Sequence, residues 1–177
     1  MKTVMCIVMA SIICLSTCSC SGKRVNNSTV KTLDTERFLG TWYEIARFDH
    51  GFERGLTCTR ANYSLNADGT LTVINSGIKK GKGKVSVGKA KLTDTAGRLR
   101  VSFFGPFYSD YRVMMLDDDY NYALIGSKSS KYLWILSRTP DMDGETLKRI
   151  VTSVSDKGYD AGNLIWVEQP VSYSMAY

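Results

Sequence analysis

The sequence predicts an all-β protein: an eight-stranded antiparallel up-and-down β-barrel, with one C-terminal α-helix packed outside it and a short final strand. Three observations carry this. Turn residues recur at short, even spacing between residues 41 and 138. The segments between them alternate apolar and polar side chains. The last segment is apolar on both faces and is followed by a helical repeat that can cover it.

The turns are Asn66-Ala67-Asp68-Gly69, Lys80-Gly81-Lys82-Gly83, Asp94-Thr95-Ala96-Gly97 and Asp117-Asp118-Asp119. They bound strands expected near 41–48, 57–66, 70–79, 84–93, 98–104, 110–117, 121–127 and 131–138. Eight strands suffice to close a barrel, and closure removes exposed sheet edges. In the second strand Thr59, Ala61, Tyr63 and Leu65 share a face opposite Arg60, Asn62 and Ser64. In the fifth, Leu99, Val101 and Phe103 oppose Arg98, Arg100 and Ser102. Side chains alternate across a strand, so the apolar sets point inward. The fourth strand puts Val85 and Val87 on one face and Ala90 and Leu92 on the other, which predicts a bulge.

The eighth strand carries Tyr132, Trp134, Leu136 and Arg138 on one face and Leu133 and Ile135 on the other. The helix over roughly 143–157 supplies the cover. Asp143 or Asp141 caps it, Glu145 suits its first turn, and Leu147, Ile150, Val151 and Val154 recur at helical spacing. Gly158 suits its C-terminus. Leu164-Ile165-Trp166-Val167 predicts the final strand.

The 177 residues suit one domain behind an export leader. Lys2 and the apolar run Val4 to Leu15 are too short for a bilayer span and read as a signal peptide over 1–19. Cys20, or alternatively Cys18, stands behind that run among small residues, an arrangement that resembles a bacterial lipobox with a lipidated first residue. Residues 20–33 are polar and are expected as a flexible tether. Of five cysteines only Cys58 lies within the domain, so no disulfide framework is expected, and no cysteine or histidine cluster has metal-ligand spacing. The net charge is +6. The basic run Lys79 to Lys91 lacks aromatic side chains for base stacking, which argues against nucleic acid and for a solvated hairpin or a face meeting anionic head groups.

Phe38-Leu39-Gly40-Thr41-Trp42-Tyr43-Glu44-Ile45-Ala46-Arg47-Phe48, with Trp134-Ile135-Leu136-Ser137-Arg138-Thr139-Pro140, resembles the lipocalin family. Phe52-Glu53-Arg54-Gly55-Leu56, Val101 to Phe107 and Ile165-Trp166-Val167-Glu168-Gln169-Pro170 are similar to its bacterial outer-membrane lipoprotein branch, the Blc type, related to apolipoprotein D. The resemblance spans roughly 36–170, giving a domain over 34–170 and a tail over 171–177. Asp117-Asp118-Asp119-Tyr120 departs from the family's Thr-Asp-Tyr motif, with the aromatic displaced.

The resemblance implies a carrier of a fatty acid or lysophospholipid, anchored to the outer membrane through its N-terminal lipid and facing the periplasm. It implies no cofactor and no catalysis. Trp42 and Arg138 would seal the barrel base, a cation lying over an indole face. The expected ligand wall is Ala61, Tyr63, Val73, Ala90, Val101, Phe103, Met114 and Trp134, with Arg112 inward near the open end to meet a carboxylate or phosphate. A barrel of this size can be filled by its own side chains or hold one small ligand, and Ala61, Gly88 and Ala90 argue for space. Phe48, His50 and Phe52 fall in the loop that arches over the mouth. The alternative is an enzyme on the same fold with Cys58 as nucleophile; alternation instead points Cys58 outward. A haem carrier is disfavoured because the lone His50 sits in a rim loop. Oligomeric state, a homodimer included, is left open.

Overall fold

The computed structural model describes residues 25–169; the leader, both candidate lipidation cysteines and the tail over 171–177 lie outside the described residues. Its elements are α1 (Thr35–Phe38), β1 (Gly40–Phe48), β2 (Thr57–Leu65), β3 (Leu71–Lys79), β4 (Lys82–Leu92), β5 (Arg98–Phe104), β6 (Phe107–Leu116), β7 (Tyr122–Gly126), β8 (Leu133–Ser137), α2 (Gly144–Asp156) and β9 (Leu164–Trp166). Strands β1 to β8 pair in sequence, and β8 and β2 both pair with β1, which closes the barrel. β9 adds to the upper half of β1, pairing Phe48 with Leu164.

Up-and-down order sends alternate connections to opposite ends. The loops at 49–56, 80–81, 105–106 and 127–132 rim the open end; those at 66–70, 93–97 and 117–121 lie at the other, with α1.

Two cores result. Inside the barrel Trp42, Tyr63, Leu71, Val73, Ala90, Leu99, Val113 and Ile125 pack together. Outside, Ile45, Ala46, Leu124, Leu133 and Ile135 meet Ile150 and Val154 of α2. Asp143 caps α2 by accepting from the Thr146 N–H at 2.9 Å. Gly158, with φ +85°, turns the chain out of the helix.

Several expectations are corrected. β4 has an unbroken register with β3 from Lys79↔Lys82 to Leu71↔Ala90 and carries no bulge; Val85 and Val87 simply face solvent. Register breaks fall instead in β1, β2, β5–β6 and β6–β7. Residues 25–33 are not a free tether. The Asn26 N–H donates to the Lys157 carbonyl at 2.8 Å and the Val30 N–H to the Val113 carbonyl at 2.9 Å. Val25 packs on the outer core and Val30 and Leu33 on the inner one. Three spaced apolar residues in a polar segment are a weak signal, and the partners that hold them are distant in sequence.

Candidate ligand-binding site

The closed end is built from the local chain upward. Asp34 caps α1 by accepting from the N–H groups of Glu36 and Arg37. This single turn places Phe38 5.1 Å from the Trp42 ring and 5.2 Å from Tyr63. Trp42 is fully buried, and its Nε1 donates to the Phe38 carbonyl at 2.8 Å. The Arg138 guanidinium carbon stands 3.8 Å from the Trp42 ring centroid. Its nitrogens donate to the carbonyls of Thr41, Arg37 and Tyr120. The cation is thus held over an indole face and satisfied by backbone oxygens, so its desolvation is offset. Gly40, at φ +87°, lets β1 start beside this guanidinium; a Cβ there would stand 3.5 Å from Arg138 Nη1 in a strained backbone. The displaced aromatic Tyr120 has a use: it accepts the Arg37 cation at 4.3 Å, and its hydroxyl accepts from the Asp34 N–H.

The wall follows. Ala61, Tyr63, Val73, Ala90, Val101, Phe103 and Trp134 all belong to the inner cluster. Two expected members do not. Met114 lies on the outer wall under α2, its sulfur 3.5 Å from the Tyr159 hydroxyl. Arg112 shares that outward face, bonded to Asp110 and to Asn27. Tyr111 and Val113 are the inward residues of β6. Both faces of β6 are covered, one by the barrel interior and one by α2, so apolarity alone cannot set its parity. The space beside Gly88 is also occupied: a Cβ there would stand 2.8 Å from the Phe103 ring.

Ala61, Phe103, Tyr111 and Trp134 face inward yet keep part of their surface accessible. Tyr111 lies deep, and burial pushes its hydroxyl well up from the ordinary phenol value. Tyr63, hydrogen-bonded to it at 2.8 Å, is pushed up to about 12 by the same desolvation.

Above the apolar wall lies a polar level that the sequence reading missed. Arg47 Nη1 donates to Glu44 Oε1 at 2.6 Å, both side chains being buried. Arg47 Nη2 donates to the carbonyls of Glu53 and Leu56, pinning the mouth loop to β1. Burial, with the nearby charge of Glu53, raises Glu44 to about 7 against the pull of Arg47. Two charges in a strand flanked by large apolar residues were the available signal.

His50, though in the mouth loop, is buried. Its ring stacks on Phe52 at 4.0 Å and lies 5.1 Å from Trp134, and Nε2 stands 3.0 Å from Glu53 Oε2. Trp134 Nε1 donates to the same carboxylate at 2.9 Å. Cys58 is free and half-buried at the register break of β2, with φ +51°.

A closed barrel sealed at one end, apolar within and lidded by one loop at the other, defines a lipocalin-type binding barrel. The chain belongs to the lipocalin family: the model of the lipocalin-like domain matches residues 33–169. It is similar to the outer membrane lipoprotein Blc of Escherichia coli (strain K12), 48% identical over 149 residues that cover 82% of this chain and 84% of that protein. It is also similar to mouse apolipoprotein D, at 30% identity over 159 residues and 84% and 83% coverage. Among solved structures, insecticyanin of the tobacco hornworm Manduca sexta superposes with a TM-score of 0.64 at 25% identity, covering 82% of this chain and 83% of its own. Apocrustacyanin C1 superposes at 0.65 and 18% identity, covering 78% and 81%, a likeness of fold.

Proposed function

We propose that this lipocalin is a carrier of a single-chain lipid, a fatty acid or lysophospholipid, held inside the barrel. It is tethered to the outer membrane by lipidation at Cys20 and faces the periplasm. The observation that carries the binding reading is the apolar inward wall of the closed barrel, on which Ala61, Phe103, Tyr111 and Trp134 are only partly buried. An alkyl chain lies against that wall, and a polar head meets the Glu44–Arg47 level near the mouth. The similarity to an outer membrane lipoprotein supports the anchor.

Titrating delipidated protein with oleate or lysophosphatidylcholine should change the emission of Trp134. Ala61→Trp should block that change. Met114→Ala and Arg112→Ala should leave it intact, since both side chains stand outside the barrel. No response to either lipid in folded protein would overturn the carrier reading. The enzyme reading has less support: the single histidine, His50, is engaged by Phe52, Trp134 and Glu53. Cys58→Ser should therefore leave binding unchanged.

A further inference from the structure

The open rim carries a surface that the carrier reading does not use. Phe104 and Phe107, which pair across the β5–β6 turn, are 82% and 78% exposed. Val85 and Val87 on the outer face of neighbouring β4 are 68% and 63% exposed, and Phe52 of the mouth loop 64%. Large apolar side chains at such exposure, gathered at one end of a barrel, mark an interaction surface.

Charge identifies the kind of partner. The β3–β4 hairpin tip bears Lys79, Lys80, Lys82 and Lys84, and the β7–β8 connection Lys128 and Lys131. Of the mouth loop's acids, Asp49 is paired with Arg54 at 2.8 Å and Glu53 is buried; the exposed Asp156 and Asp160 stand at the end of α2, beside β9 and β1 and across the barrel from β4 and β5. The connections of the opposite end carry Asp94 and the run Asp117 to Asp119, with Asp68 paired to Lys89 at 2.8 Å and the cations Arg37 and Arg138 laid over Tyr120 and Trp42. The mouth connections therefore gather lysines beside exposed aromatics, while the connections at the base carry carboxylates. Rings that enter the head-group layer beside lysines that meet phosphates fit an anionic bilayer.

The path of the N-terminal segment agrees. Asn26 bonds to Lys157, after the last turn of α2, and the Asn27 amide to the carbonyls of Ser127 and Lys128, all at the rim. From there the segment descends past Val113 toward the base. Cys20 lies five residues before Val25, and five residues span at most about 17 Å. A lipid on Cys20 therefore holds the mouth near the membrane, and this part of the argument rests on the anchor proposed above.

We propose that the open rim, through Phe104, Phe107 and the lysines of the β3–β4 turn, docks on the anionic bilayer surface. The barrel mouth then faces the lipid from which a ligand enters or into which it leaves.

The test uses mature, lipidated protein reconstituted into phosphatidylcholine vesicles with or without phosphatidylglycerol, in a Cys58→Ser background. An environment-sensitive dye is placed at Phe104→Cys in one sample and at Asp119→Cys in another. With brominated lipids, the dye at 104 should be quenched, more strongly with phosphatidylglycerol, and the dye at 119 should not. Lys80→Glu, Lys82→Glu and Lys84→Glu together should abolish the quenching at 104 while the protein stays anchored. Without the anchor's contribution, each lysine removed should weaken vesicle partitioning about fivefold. Equal or stronger quenching at 119, or none at 104 in either vesicle, overturns the proposal. A disulfide between two copies through Phe104→Cys, without quenching, would assign the patch to a second copy of the chain and also overturn it. The readout needs no ligand: quenching retained in protein that binds neither oleate nor lysophosphatidylcholine would sink the carrier reading and leave the docking surface standing.

Discussion

The two ends of the barrel are stabilised by different physics. At the closed end the half-buried cation Arg138 is spent on one ring and three backbone carbonyls, and Trp42 beneath it packs on Phe38. At the mouth Glu44 and Arg47 are buried together, Arg47 also holds a loop by two carbonyls, and a histidine and an acid share Trp134. The closed end has one arrangement whose groups are satisfied. The mouth contains a titratable group and leaves Arg47 Nε and Asn75 Oδ1 buried without a protein partner. Buried polar groups cost free energy unless paired, so the mouth is expected to be the less stable of the two ends.

Four measurements would break or sharpen that contrast. Trp42→Ala removes the largest fully buried ring of the closed end and should cost about 3–5 kcal/mol in denaturant unfolding. A loss below about 1 kcal/mol would show that the base is not where the barrel is held.

The mouth should reveal itself by pH. Glu44 is raised from 4.5 to about 7 in the folded protein. The native state then binds the proton more tightly than the unfolded chain, so this group's contribution is full below pH 4.5 and is lost as pH rises toward about 7. The loss approaches about 3 kcal/mol as an upper bound. Glu44→Gln should flatten the dependence of Tm on pH across that window. An unchanged slope would place the titration elsewhere.

A double-mutant cycle on Trp42 and Arg138 should show a coupling of about 0.5–2 kcal/mol. Additive losses would mean that Arg138 acts through its carbonyl partners alone. The smallest effect is expected at the loop. Arg47→Lys loses the fork to the Glu53 and Leu56 carbonyls, at about 1 kcal/mol, and amide exchange should accelerate in 49–56 before it does in the wall. Uniform acceleration would deny the mouth its separate, weaker status.

Strand alternation located the inner wall of β2 and β5 because those strands carry polar residues on their outer face. It failed in β6, where α2 covers the outside and Met114 is as apolar as Val113. It invented a bulge in β4, because it assumed that Val85 and Val87 must be buried; they are exposed at the rim instead. The family motifs located Gly40, Trp42 and Arg138 together, nearly a hundred residues apart in sequence, which periodicity alone would not have joined.

By itself the sequence determined the number and order of strands, the capped amphipathic helix, the turn glycines and the residues of the closed end, because each depends on local backbone preference or on a motif read within a few residues. Only the tertiary structure decided which face of β6 looks inward, that residues 25–33 run down the barrel, that Arg47 ties the mouth loop to Glu44, and that lysines and phenylalanines of separate hairpins gather at one rim. Those outcomes depend on which surfaces meet after the sheet closes, and burial and charge acquire their energies only from that meeting.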